Sequence, residues 1–205
     1  MINRNYCITI TRQFGSLGRP IAKKMSEILD INYYDRDIVD KTAKKMNLPI
    51  SIVGNAEEQD KSGFFNMKFP LGTASDSIQD DIFNTQYKII NELADKESCI
   101  IVGRCSDYVL QDRKRSLHIF IYAPIEDRLK NCVDYLHMDF DTARRMIADV
   151  DKARQNYHKK YAKFTMDDYR YKDISINSSI LGVEGTAEHL SSIIREIMTR
   201  NEEVK

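Results

Sequence analysis

The chain lacks a net charge, its 205 residues carrying 31 basic and 31 acidic side chains. That balance argues against bulk attraction to a nucleic-acid polymer or a membrane surface, while local basic clusters can still hold small anions. Apolar runs approaching the roughly eighteen residues needed to span a bilayer are also lacking, so no transmembrane helix is expected. The opening MINRNYCITITRQFG enters a short apolar strand with no long hydrophobic core and no small-residue cleavage site. No export signal is read there, and the cytoplasm is the expected compartment. The four cysteines show no CxxC spacing and no histidine partner at zinc-ligand distance, which points to reduced, small hydrophobes. His118, His137, His158 and His189 have no mutual spacing that suggests a metal or a triad and are expected to be structural or exposed. Internal repeats and low-complexity tracts are missing too.

What is present is an ordinary globular composition, 42% hydrophobic and 30% charged, in a length that suits one domain with room for an inserted subdomain. Tyr6 to Thr11 is β-branched and runs into a glycine-containing turn, after which Ile21, Ala22, Met25, Ile28 and Leu29 fall at helical spacing. A second strand is predicted over Ile31 to Asp35, with helices near Arg36 to Lys45 and Ser51 to Glu58, and a mobile loop over Gln59 to Ser75. A long helix from Ser77 leads to an apolar strand over Cys99 to Gly103, and another strand covers Leu117 to Ala123. Helices follow from Pro124 and over Asp141 to Tyr161, then a strand over Asp173 to Asn177 and a last helix over Thr186 to Thr199. Five short strands separated by helices argue for an α/β fold: a five-stranded, doubly wound parallel sheet flanked by helices.

The segment from Thr11 to Pro20 joins the first strand to the first helix, where the backbone N–H groups of such folds converge on phosphate. Arg12, Gly15, Ser16, Leu17, Gly18 and Arg19 are the candidate phosphate-binding residues, and Pro20 suits a first helical turn. The standard loop reads GxxxxGK[ST], with a lysine for the phosphates and a hydroxyl for magnesium, and neither stands here. Arg19 supplies charge as a planar fork in place of a compact ammonium. The glycines read equally well as a tight strand-to-helix turn. Arg104 follows a buried strand directly at the carboxyl edge of the sheet, where ligands bind, and charge there seldom serves packing alone.

Three segments, ITRQFGSLGRPIAKK with its following YYDRDIV, then IIVGRCSDYVL, and DISINSSILGVEGTAEHL, resemble the cytidylate kinase-like family, a divergent branch of the nucleoside monophosphate kinases. The resemblance covers most of the chain. It implies a P-loop fold with a helical lid, ATP as donor, Mg2+, and CMP or a related monophosphate as acceptor. The branch looks like a GSGGR version of the loop, and Leu17 stands where it usually has glycine. Asp35 and Arg36 fall where the family begins its acceptor region, approximately residues 36–95, although Asp35 reads equally as a helix N-cap. Arg104 and Asp107 match its acceptor-binding arginine and aspartate, the alternative being a local i, i+3 ion pair.

Residues 125–170 match the family's lid, whose Arg128, Arg145 and Arg154 would stabilise the transition state alongside Arg19. Asp151 and Arg154 read nearly as well as a solvated surface pair. Asn177, Ser178 and Ser179 match the loop past the donor's adenine, or form a simple polar turn. Tyr157, Tyr161, Tyr169 and Tyr171 are expected as packing anchors more than as base-stacking groups. The resulting expectation is transfer of the ATP γ-phosphoryl group to CMP or dCMP. The competing readings are a catalytically degenerate nucleotide- or phosphate-binding sensor module and a kinase for a different small-molecule acceptor.

Overall fold

Aliphatic runs without polar alternation form strands covered on both faces, and the three central strands of this protein are of that kind. The computed structural model describes residues 5–48, 50 and 76–203. In it β1 (Cys7–Arg12), β3 (Cys99–Val102) and β4 (Ser116–Tyr122) lie at the centre, with the more exposed β2 (Asn32–Tyr34) and β5 (Ile174–Asn177) at the edges. The order is β2-β3-β1-β4-β5 and every pairing is parallel, Ile10 registering with Val102 on one side and Ile119 on the other. Because the chain leaves β1 toward one edge and later returns to its other side, the crevice for ligands lies at the carboxyl end of β1.

Helices α1 (Gly18–Leu29), α2 (Arg36–Met46), α3 (Asp76–Lys96), α4 (Ser106–Val109), α5 (Ile125–Asp134), α6 (Phe140–Ala162) and α7 (Gly182–Glu203) cover the sheet. Ile21, Ala22 and Met25 of α1 and Ala187, Leu190 and Ile194 of α7 close one face over Ile8, Ile10, Ile100 and Ile119. Ile89, Ile90 and Leu93 of α3, with Val109 and Leu110, close the other over Cys7, Cys99 and Ile101. A third cluster stands apart: Phe14 from the loop after β1 packs with Cys132, Met138, Ala143, Ile147 and Val150 of the α5–α6 hairpin. All four cysteines are free and buried, as expected. Among the described residues no helix is long and apolar enough to cross a membrane.

Several boundaries differ from the sequence reading. The last helix starts at Gly182 and encloses Gly185, because its backbone packs so close to Leu181 that an added Cβ would meet that side chain at 3.1 Å. Helix α6 starts at Phe140, where the Asp139 carboxylate accepts from the Thr142 N–H at 2.9 Å as a side-chain cap. Helix α4 and a 3₁₀ turn over Tyr169–Tyr171 escaped notice because they are too short to show periodicity. The expected helix over 51–58 and loop over 59–75 lie outside the described residues.

Helix α6 ends because Lys163 adopts a left-handed conformation with φ 66°, held by its own Nζ on the Lys160 carbonyl at 2.7 Å. Lysine is strained there and glycine is not. Lys163→Gly is expected to stabilise the fold by up to about 1 kcal/mol, measured by urea denaturation; a loss of stability would mean that the lysine cap outweighs the strain.

Candidate functional site

The carboxyl end of β1 carries the chain into a loop over residues 13–17 whose course is fixed from outside. The carbonyl of Phe14 accepts from Arg128 Nη1 at 3.3 Å, that of Gly15 from Asn131 Nδ2 at 2.9 Å, and that of Ser16 from Ser178 Oγ at 2.8 Å. A trans peptide directs its N–H opposite to its C=O. The Phe14 and Ser16 carbonyls, drawn outward, therefore direct the N–H groups of Gly15 and Leu17 inward, an arrangement that suits an anion, while the Ser16 N–H closes a turn on the Gln13 carbonyl at 3.4 Å. Ser16 is fully buried and turns its hydroxyl toward the Gln13 and Ile121 carbonyls at 2.9 and 3.2 Å, where it braces the loop. Leu17 is the N-cap of α1 with φ 59°, a left-handed conformation that glycine adopts without strain and leucine does not.

Arginines converge on this loop from four elements. Arg19, in the first turn of α1, places Nε 2.5 Å from Asp35 Oδ2 at the end of β2. Arg12 ends β1, and its side chain runs past two glycines that make room for it. A Cβ on Gly18 would lie 2.8 Å from Arg12 Cβ, and one on Gly103 would lie 2.4 Å from its Nη1. Arg104 leaves β3 through three consecutive left-handed residues, Gly103, Arg104 and Cys105, with φ 73°, 58° and 52°. Arg154 of α6 donates from Nη1 to the Arg12 carbonyl at 2.9 Å.

The electrostatics follow from that crowding. Burial pushes the Asp35 carboxyl upward, but Arg19, Arg12 and Arg104 outweigh it and hold the group below its ordinary value. Burial, reinforced by Arg19 and Arg104 and only partly relieved by Asp35, brings Arg12 down to about 10. Burial and then Arg12 lower Arg154 in the same direction. Each cation here is stabilised by added negative charge, which makes the cluster chemically suited to an anion. Asp35 stands at the N-cap of α2 without capping it, so its carboxylate serves the arginines.

The remaining sequence candidates lie elsewhere. Arg128 is buried in an ion pair with Asp151, whose other oxygen accepts from the Phe14 N–H at 2.7 Å. Arg145 is exposed and donates to Thr142 at 3.3 Å; nine residues before Arg154, about two and a half turns, it lies on the opposite face of α6. Arg36 opens α2 directly after Asp35. Asn177 accepts from the Ser179 N–H at 3.0 Å, and Ser178 is the tether already described.

Asp107 does not pair locally with Arg104. It meets His158 Nε2 at 3.0 Å and Lys172 Nζ in a buried group. Its carboxyl is brought to about 2, because His158 and Lys172 outweigh the upward push of burial. Since α6 carries both Arg154 and His158, one turn apart, this group pins the helix to the turn that presents Arg104. Tyr161 stacks on Phe83 at 4.1 Å, and the Tyr157 hydroxyl donates to Gln86 at 3.2 Å, so both tyrosines anchor α6 on α3.

Magnesium tests differently. Among the described residues no group of three or more His, Cys, Asp or Glu could hold a metal. The ion fits here only in the manner of polyphosphate-carried magnesium, which needs one or two protein carboxylates. Asp35 is the carboxylate within the arginine cluster, and its buried Oδ1 has no hydrogen-bond partner.

Known proteins resemble this chain over most of its length. The pattern of the cytidylate kinase-like family matches residues 7–180. A cytidylate kinase from Thermoplasma acidophilum is 22% identical over 196 residues, covering 95% of each chain. An uncharacterized protein of known structure from Eubacterium ventriosum is 26% identical, with a TM-score of 0.69 over 95% of this chain and 99% of its own. The shikimate kinase of Bacteroides thetaiotaomicron, 12% identical with a TM-score of 0.56 over 93% and 98%, shares the fold.

The buried Asp107 group yields a stability test. A folded pKa near 2 against about 3.9 in the unfolded chain means a stabilisation complete above pH 4 or so and lost as pH falls toward 2. Asp107→Asn leaves Lys172 buried without its counter-charge and is expected to cost about 3 kcal/mol at neutral pH. That difference should narrow across the acid window in urea titrations; a difference independent of pH there would contradict the assignment.

Proposed function

The chain belongs to the cytidylate kinase-like family, and from that premise we propose that it transfers the γ-phosphoryl group of ATP to a nucleoside monophosphate, CMP or dCMP first. The observation that carries this reading is the convergence of Arg12, Arg19, Arg104 and Arg154 around Asp35, beside a loop whose carbonyls are drawn outward. Donor phosphates would lie on the inward N–H groups and on Arg19. Arg104, at the end of β3, holds the acceptor phosphate, and Arg154 neutralises charge that develops on the migrating group. Arg12 lies between the two sides.

No general base is needed, because phosphoryl transfer depends on positioning and electrostatic stabilisation. Asp35 would be the carboxylate to meet magnesium carried in on the nucleotide, an ion that would supply positive charge against the phosphates. Residues 36–95 supply the acceptor region, and residues 125–170 take the lid's position. Arg145, exposed on the opposite face of α6, takes no part in this mechanism, and Arg128 lies outside the cluster with its side chain on the loop backbone at Phe14.

A second reading has its own support. Pro20 stands where the standard loop has its magnesium-binding hydroxyl, and Arg19 faces Asp35. A phosphate-binding sensor without turnover fits those two facts, as does a kinase for another acceptor.

ADP formation from ATP and magnesium, measured against CMP, dCMP, UMP, AMP and GMP, separates them. One monophosphate is expected to support turnover, with Arg19→Ala and Arg104→Ala each lowering kcat/KM by about a hundredfold or more. Intact nucleotide binding without turnover would remove the kinase assignment in favour of the sensor or another acceptor.

A further inference from the structure

Phe14 is the point at which the phosphate loop is gripped. Its ring is buried in the third core, between α5 and α6. Its N–H donates to Asp151 Oδ1 at 2.7 Å, and its carbonyl accepts from Arg128 Nη1 at 3.3 Å. The same Arg128 nitrogen is paired with Asp151 Oδ2, so the two side chains form one clamp across a single residue's backbone. Neighbouring carbonyls are held by the same hairpin: Gly15 by Asn131 at 2.9 Å and Arg12 by Arg154 at 2.9 Å.

We infer that Arg128 and Asp151, with Asn131, are positioning residues that orient the N–H groups of the phosphate loop. They set the loop's course where its own sequence cannot. Aligning Gly18-Arg19-Pro20 with the G-K-[ST] of the standard loop places Gln13 at its first glycine, so the flexible residue that opens that loop is missing. Leu17 adds a non-glycine residue at φ 59°, a conformation that persists only where the surroundings enforce it. A buried ion pair is a poor way to stabilise a small apolar core, since hydrophobic residues of similar volume often do as well or better. This pair is directed at backbone polar groups of the loop, which is what a positioning role requires.

The clamp has a mechanical consequence. Asp151 and Arg154 are three residues apart on α6, one holding the Phe14 N–H and the other the Arg12 carbonyl. A shift of that helix therefore moves the loop and a guanidinium together, and an anion on the loop stiffens the hairpin. The arrangement makes residues 125–162 the outer support of the loop.

The proposal rests on the loop's being a phosphate site, and the test separates the two. Hydrogen exchange of the loop amides is measured in the ligand-free full chain for the wild type, Asp151→Ala, Asp151→Asn and Asn131→Ala. Exchange of the Phe14 amide, which donates to Asp151, and of the Ser16 amide, which donates to Gln13, is expected to rise about tenfold in Asp151→Ala. Asp151→Asn, which keeps an acceptor oxygen for the Phe14 N–H, should recover most of that protection. Pyrophosphate and MgATP affinity by calorimetry should weaken in parallel, about tenfold in Asp151→Ala, and in turnover KM for ATP should rise more than kcat falls.

If the variants melt earlier but keep wild-type loop exchange and anion affinity, the clamp is structural only and the inference is overturned. If the wild type binds neither pyrophosphate nor ATP, the kinase reading fails while the exchange data still decide the clamp. Should Asp151→Ala not fold, half-buried Asn131→Ala removes a single tether and decides the matter on the same readouts.

Discussion

The Asp35 carboxylate is the constraint on which the site depends. Guanidiniums from β1, α1 and the end of β3 act on it together, and it meets Arg19 at 2.5 Å. Like charges held this close repel, and burial removes the water that would screen them. Without one buried anion among them, the arginines would turn outward to solvent and the crevice beside β1 would lose its charge. Asp35 can occupy that place because β2 pairs in parallel with β3 and so ends at the same carboxyl edge of the sheet as β1, one strand removed from it. The sheet order is thereby linked to the chemistry: the strands place the carboxylate and the carboxylate holds the arginines.

The backbone is strained where this charge gathers. Leu17, Arg104 and Cys105 all adopt left-handed conformations that cost L-residues about 1 kcal/mol or more each. Such conformations survive where hydrogen bonds and packing leave no alternative. At Leu17 these are the outward tethers of Phe14, Gly15 and Ser16. At Arg104 the Gly103 N–H donates to Ile10 at 3.0 Å and the Gly103 carbonyl accepts from Ser106 at 3.0 Å, while Asp107 is fixed by His158 and Lys172. Strain on both sides of β1 is thus opposed by contacts from α5 and the turn after β5 on one side and, through His158, from α6 on the other.

The five strands and their parallel arrangement were legible because apolar runs such as CIIV cannot be mistaken for exposed segments, and glycine turns mark their ends. Arg19, Arg104 and Arg154 were legible as candidates from their places after a strand or along the lid segment. Their meeting at Asp35 was not, because four arginines separated by up to 142 residues share no local pattern. Arg12 was named for its position, whereas the stronger signal was Gly18 and Gly103, each bare so that the Arg12 side chain can pass. Asp107 misled because Arg104 lies three residues away, while its true partners, His158 and Lys172, are 51 and 65 residues distant. Asp151, legible as part of the lid segment or nearly as well as a surface pair with Arg154, meets instead the Phe14 N–H and Arg128, 137 and 23 residues away, which no local pattern records.

The substitution of arginine for the loop's lysine is intelligible in these terms. An ammonium is a single compact charge, and a lysine at position 19 could serve Asp35 or a phosphate but could hardly span both. A guanidinium distributes its charge over three nitrogens on a planar fork, and Arg19 engages Asp35 through Nε, the nitrogen nearest its stem. Arginine at 19 and aspartate at 35 are therefore one adaptation: the carboxylate would immobilise a lysine, and with arginine it orients the fork. If the proposed function holds, a loop without its first glycine and its lysine would bind phosphate through the geometry that Asp35 imposes on one side and the Phe14 clamp on the other.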